Sequence, residues 1–97
     1  MPSYVTLVKW TDQGIRTVKD APKRVENFEA AVKAAGGRLK DLYLVMGEYD
    51  LVVITEAPND EAVMRLALAT GMLGNVRTTT MRAFGRDDAL KIIQSLP

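Results

Sequence analysis

The sequence predicts one α+β domain of βαββαβ topology, an antiparallel four-stranded sheet with its helices on one face. Two observations predict it. Four runs rich in β-branched and aromatic residues and two amphipathic helical stretches follow one another as strand, helix, strand, strand, helix, strand. The chain has 97 residues, 47% of them apolar, which allows one core and leaves no room for a second. Residues 1–97 are therefore expected to form a single domain, with its core in 4–84 and a short helical tail over 85–97.

Tyr4 to Trp10 contains β-branched and aromatic residues without a breaker and gives the first strand. Thr11-Asp12-Gln13-Gly14 ends it as a loop, and Ile15 and Val18 stand at helical spacing in a short turn. Asp20 followed by Pro22 opens the main helix, because proline is tolerated in a first turn whose amides lack partners. Val25, Phe28, Val32 and Ala35 form its apolar stripe, and Gly36-Gly37 stops it. Arg38 to Met46 and Tyr49 to Glu56 are two strands joined by Gly47-Glu48, where glycine at the first central position suits a two-residue type II′ turn. Leu51-Val52-Val53-Ile54 is apolar at both parities, the mark of a central strand covered on both faces.

Pro58-Asn59-Asp60-Glu61 supplies a cap and first-turn acids for the second helix. Two apolar stripes run along that helix: Val63, Leu66, Ala67 and Thr70 on one, Met64, Leu68 and Met72 on the other. One sheet covers one stripe, so the second is left for the C-terminal segment or a partner chain. Gly71 and Gly74-Asn75 end the helix, Val76 to Phe84 is the fourth strand, and Asp87 caps a terminal helix with Leu90 and Ile93 on its inner side. Right-handed crossovers give the sheet order 4-1-3-2 and place both helices on one face. The other face is expected to carry alternate strand residues such as Tyr4, Thr6, Val8 and Trp10, or Thr78, Thr80, Arg82 and Phe84. Only the short tail remains to cover it, and a large, partly apolar sheet face left open marks an interface. The expected partner is the chain itself, as a homodimer or higher oligomer.

Cysteine and histidine are both absent. That excludes a disulfide framework, a Cys/His zinc site, a cysteine nucleophile, a Ser-His-Asp triad and histidine-ligated haem. Chemistry would rest on carboxylates, Lys, Arg, Tyr or a bound cofactor, and no motif calls for a cofactor. No run approaches the roughly 18 apolar residues of a membrane span, and the start shows no secretory leader, so a cytoplasmic location is expected. Net charge is +1, divided as +4 over Lys9–Lys40 and −3 over Asp41–Pro97.

Lys9-Trp10-Thr11-Asp12-Gln13-Gly14-Ile15, Lys19-Asp20-Ala21-Pro22-Lys23-Arg24, Gly47-Glu48-Tyr49-Asp50, Gly74-Asn75-Val76-Arg77-Thr78 and Met81-Arg82-Ala83-Phe84 together resemble the GYD-domain family. The resemblance spans residues 4–84. It implies a ferredoxin-like domain of the dimeric α+β barrel kind, small and largely prokaryotic, without an established activity. The run Gly47 to Val53 is similar, more distantly, to the hairpin of the effector-binding domain of Lrp/AsnC-type regulators, which bind amino acids between subunits. With the first strand starting at residue 4, a counterpart of those regulators' helix-turn-helix is not expected in this sequence.

The candidate ligand-binding residues are Lys9, Trp10, Gly47, Tyr49, Asp50 and Arg82. An acid at the head of a central apolar strand must be paired, hydrogen-bonded or at the water's edge. Asp50 therefore either accepts bonds from hairpin or loop amides and locks the register, or faces a ligand beside Tyr49. Glu48 and Asp50 alone make a poor site for a hard cation, and no metal is expected. Lys9, Trp10, Arg16, Lys19, Lys23 and Arg24 surround a helix entrance where an anion could sit, although no glycine-rich phosphate cradle accompanies them. Arg82, if it faces inward, needs an acid such as Asp50. The same topology serves RNA-recognition modules, but two acids and a single aromatic in the third strand argue against nucleic acid.

These features favour a homo-oligomeric module that binds a small molecule, an amino acid or other carboxylate, at the subunit interface. The alternatives are a cofactor-independent barrel enzyme of monooxygenase, isomerase or decarboxylase type, and a structural subunit that binds another protein. A pocket of about 300 Å³ or more touching Tyr49 and Asp50 would favour the enzyme.

Overall fold

The computed structural model describes residues 1–97. Along the chain run β1 (Ser3–Trp10), α1 (Asp12–Arg16), a 3₁₀ turn at Val18–Asp20, α2 (Ala21–Ala34), β2 (Arg38–Leu44), β3 (Leu51–Glu56), α3 (Asp60–Met72), β4 (Val76–Ala83) and α4 (Arg86–Gln94). The sheet order is β2-β3-β1-β4 with all neighbours antiparallel, the expected 4-1-3-2 order taken from the other edge. The βαββαβ fold of the ferredoxin-like class is therefore the architecture of this chain.

Local chemistry accounts for most boundaries. Pro22 sits in the first turn of α2, and Gly36, at a φ of +85° that side-chain-bearing residues avoid, ends it. The Asn59 side chain caps α3 by accepting from Ala62 N at 2.9 Å, with Asp60 and Glu61 in the first turn. Thr11 to Gly14, expected as a loop, instead starts α1. The Thr11 hydroxyl accepts from Gly14 N, and Thr11 N donates to Asn75 O at 3.0 Å. Gly14 is buried against the Asn75 backbone, so it is needed for close approach and does not break the helix.

The β2–β3 connection also departs from expectation. No two-residue turn forms at Gly47-Glu48. The strands end at Leu44 and Leu51, and a loop closes where Val45 N donates to Asp50 O at 2.9 Å. Gly47 has the positive φ the turn assignment needed, +110°, but Tyr49 leaves the ladder to lie against Lys9, which opens the loop.

The two faces of the sheet exchange roles relative to the expectation. Tyr4, Val8, Val53 and Thr55 are buried beneath the helices, and the register aligns Thr6 with Val53 and with Thr80, and Val8 with Leu51 and with Thr78. The even residues of β1 and β4 thus face α2 and α3. The open face carries Val5, Leu7 and Lys9 from β1, Val52 and Ile54 from β3, Tyr43 and Asp41 from β2, and Arg77, Thr79 and Met81 from β4. An apolar run at both parities of β3 is compatible with either assignment; the first turn of α3 decides it by burying Ala62 and Val63, the latter in a cluster with Tyr4 and Ala57.

The second stripe of α3 is exposed, Met64, Leu68 and Met72 at 51%, 62% and 86%. No element packs along α4, whose apolar residues have no inner side: Leu90 and Ile93 are 46% and 60% exposed. Gly85 precedes α4 without a side-chain cap, so Asp87 lies in the first turn and is not the cap. The radius of gyration, 14.5 Å, exceeds the roughly 12.5 Å of a compact domain of this length, and only nine of 97 residues are buried. The single chain leaves much of its apolar surface uncovered.

Candidate functional site

Between the helices and the sheet lies a cavity of about 360 Å³ whose walls are mainly apolar. Trp10, Val53 and Val76 form its floor, with Phe28 of α2 and Leu66 of α3 as walls. Its polar groups are neutral apart from one: Thr6, Thr55, Thr78 and Thr80 from the sheet, Asn27, Asn75 and Thr70, and the guanidinium of Arg24. Arg24 is already engaged, donating to Gly14 O, Thr17 O and the Thr17 hydroxyl at 3.1–3.2 Å. No carboxylate, lysine or tyrosine lines the space.

The six candidate residues fall in three places. Lys9 and Tyr49 meet at one end of the open face, where the Lys9 ammonium lies 5.2 Å from the Tyr49 ring and 3.4 Å from the Glu48 carboxylate. Gly47 is exposed in the loop beside them. Trp10 lies on the opposite face of the sheet, in the cavity. Asp50 joins the two through the backbone: its carboxylate accepts from Trp10 N at 2.9 Å, and its own amide donates to Val8 O at 2.8 Å. The amide it holds belongs to the neighbouring strand, outside the hairpin.

Arg82 is remote from these. It stands six residues along β4 from Val76, the partner of Trp10, about 20 Å away at ~3.3 Å per residue. Its ion-pair partner is Asp60 at 4.0 Å, not Asp50. The guanidinium also lies 5.9 Å from the Tyr4 ring and 5.3 Å from that of Phe84. The Tyr4 hydroxyl donates to the same Asp60 oxygen. Burial, then the bond to Asp60 and its negative charge, push the Tyr4 phenol above the usual 10.0, with Arg82 pulling the other way. At the same end of the sheet Arg38 Nε donates to Glu56 at 2.5 Å, which holds the Glu56 carboxyl below its usual 4.5.

The cavity polar groups escaped the sequence reading because threonine in a strand is ordinarily read as β propensity. The usable signal was alternation: Thr6, Thr78 and Thr80 stand at alternate positions of β1 and β4, and Thr55 of β3 pairs with Tyr4, so all four lie on the helix side. No cluster of three or more acidic side chains gathers in the way a metal site requires. No helix is long and apolar enough to cross a membrane.

A two-layer α+β domain with a bare sheet face and a mainly apolar cavity under its helices is of the ferredoxin-like class. The chain belongs to the GYD domain family, whose model matches residues 4–93. It is 32% identical over 84 residues to the "Glutamine synthetase and cystathionine beta-lyase binding protein" of Thermus thermophilus, covering 86% of this chain and 88% of that one. Among solved structures it resembles FFRP-DM1, with a TM-score of 0.61 at 21% identity over 87% of this chain and 100% of that one. It also resembles a feast or famine regulatory protein from M. tuberculosis complexed with L-methionine, with a TM-score of 0.66 at 22% identity. That match covers 88% of this chain but 51% of the regulator. These structural likenesses show the shared fold.

Proposed function

We propose that this chain is a non-catalytic binding module that works as a self-associated assembly, two copies closing over their open sheet faces. The observation that carries the reading is the open face itself. Val5 and Leu7 of β1 and Val52 and Ile54 of β3 occupy the two central strands, with Tyr43 and Met81 flanking them at 54% and 43% exposure. Apolar surface of this kind is stabilised by removal from water at roughly 25 cal/mol per Å², and a sheet face packs well against another sheet. The T. thermophilus relative is described as a protein that binds two enzymes, which supports binding as the mode of action. Sedimentation velocity tests it. The wild type should sediment as a dimer or larger, Leu7→Lys or Val52→Lys should yield folded monomer, and a monomeric wild type at every concentration would refute the reading.

A second reading concerns a small molecule, and the cavity favours it. A neutral, mainly apolar lining of about 360 Å³ suits a metabolite with one or two hydrogen-bonding groups. The lining offers no acid or base for proton transfer, so the reading is binding without turnover, and the cavity touches neither Tyr49 nor Asp50. A carboxylate ligand would instead seek the Lys9 ammonium beside Tyr49 at the end of the open face, and the regulator's complex with L-methionine supports an amino acid as the ligand class. Fluorescence of the sole tryptophan, Trp10, with thermal shift against a metabolite panel separates the two. Cavity binding should perturb Trp10 and fail in Trp10→Ala; binding at the open face should fail in Lys9→Ala. No saturable response from any compound class would refute both.

A further inference from the structure

We infer that Arg77 and Asp41 are the residues that set how two copies of this chain dock, each forming an ion pair with the other residue on the partner and so fixing a crossed, two-fold arrangement of the sheets. The inference rests on the face-to-face association proposed above and adds its geometry.

Lys9, Glu56 and Arg38 on the open side each have a charged partner within their own chain, at 3.4 Å for Lys9–Glu48 and 2.5 Å for Arg38–Glu56. Arg77 and Asp41 have none, and both are exposed. They stand at opposite corners of the face. Arg77 lies on the outer edge strand β4, in the row of Lys9; Asp41 lies on the other edge strand β2, in the row of Ile54, Val5 and Met81. Three strand spacings of ~4.8 Å separate them across the sheet, about 14 Å, and four residues of ~3.3 Å separate them along the strands, about 13 Å.

Because these two legs are nearly equal, a two-fold axis lying between the sheets at about 45° to the strands exchanges the two corners. Arg77 of each copy then lies over the partner's Asp41, twice by symmetry. The same axis passes through the Leu7–Val52 pair at the middle of the apolar patch. Strands of the two copies then cross at about 90°, one of the two arrangements in which sheets pack well. Aligned packing, with the axis along the strands, would lay Arg77 over the partner's Val45, leaving Arg77 and Asp41 at the interface without partners. Desolvating unpaired charge is costly. The charge pattern thus selects the crossed arrangement, and it does so for a second copy of this chain because both halves of the complementarity are on one face.

Charge exchange tests this in solution. Arg77→Asp and Asp41→Arg, each alone, should weaken the homodimer about tenfold or more, since each places like charges opposite one another twice. The double variant carrying both changes should recover wild-type association. An equimolar mixture of the two single variants should form heterodimers in preference to either homodimer, because every contact in the mixed pair is again opposite in sign; native mass spectrometry reads this directly. Recovery in the double variant also shows that neither change prevents folding. Single variants that associate like the wild type, or a mixture that gives no preference for heterodimer, would overturn the inference while leaving face-to-face association standing. A wild type that stays monomeric at every concentration would overturn both.

Discussion

Replacing Asp50 by alanine removes the side chain that ties the main chain at the end of β1 to the β2–β3 loop. The Asp50 carboxylate accepts from Trp10 N at 2.9 Å in a part-buried setting. Hydrogen bonds to charged groups contribute roughly 1.5–3 kcal/mol; partial exposure argues for the lower end, about 1.5 kcal/mol. For a domain of this size that is a fall in Tm of roughly 6–12 °C. The main-chain bonds of Asp50 to Val8 and Val45 stay in place, so the fold should survive with an unchanged urea m-value. Asp50→Asn keeps an acceptor oxygen and should recover most of the loss. The assay is urea and thermal unfolding at one fixed protein concentration, because association shifts apparent stability. If Asp50→Ala falls within about 0.3 kcal/mol of wild type, well short of a charged hydrogen bond, the carboxylate does not lock the strand and its conformation needs another reason, a ligand first among them.

Two glycine substitutions should move stability in opposite directions. A methyl group on Gly14 would overlap the backbone of Asn75, so Gly14→Ala should cost about 2 kcal/mol or more, whereas Gly71, in α3 with open space around it, should gain up to about 1 kcal/mol as alanine; chemical denaturation reads both. The Glu56 carboxyl is held below 4.5 by Arg38, so the stability this pair adds is fully present above about pH 4.5 and is lost as the pH falls through the lower folded value. A carboxyl titration by NMR should show that depressed midpoint, and Arg38→Gln should return it towards 4.5. The Tyr4 phenol is raised above 10.0, so its contribution is present below pH 10 and is lost as the pH rises through the folded value. Ultraviolet titration should show a late-ionising tyrosine, and Asp60→Asn should bring its ionisation earlier.

Much of the fold was legible in the sequence because its signals are local. Pro22 at a helix start, Gly36 at a helix end, the Asn59 cap and the apolar stripes of α2 and α3 act through neighbouring residues, and the strand order follows from the short chain of connections. Gly14 shows where local reading fails. A glycine after Asp12-Gln13 signals a loop, yet here the missing side chain serves contact with Asn75, 61 residues further on. The Gly47 loop failed for a similar reason, since Tyr49 answers to Lys9 and not to the turn.

By itself the sequence determined the class, the βαββαβ order, the absence of histidine and cysteine chemistry and the expectation of an uncovered sheet face. The tertiary structure alone decided which side chains occupy that face. Alternation along a strand shows that two sets of residues point opposite ways, but not which set meets the helices. In this chain the choice is made by long-range burial, Tyr4 and Val8 of β1 against the helix layer that includes Val63. It sends Trp10 into the cavity and leaves Val5, Leu7, Val52 and Ile54 facing outward between the unpaired charges of Arg77 and Asp41.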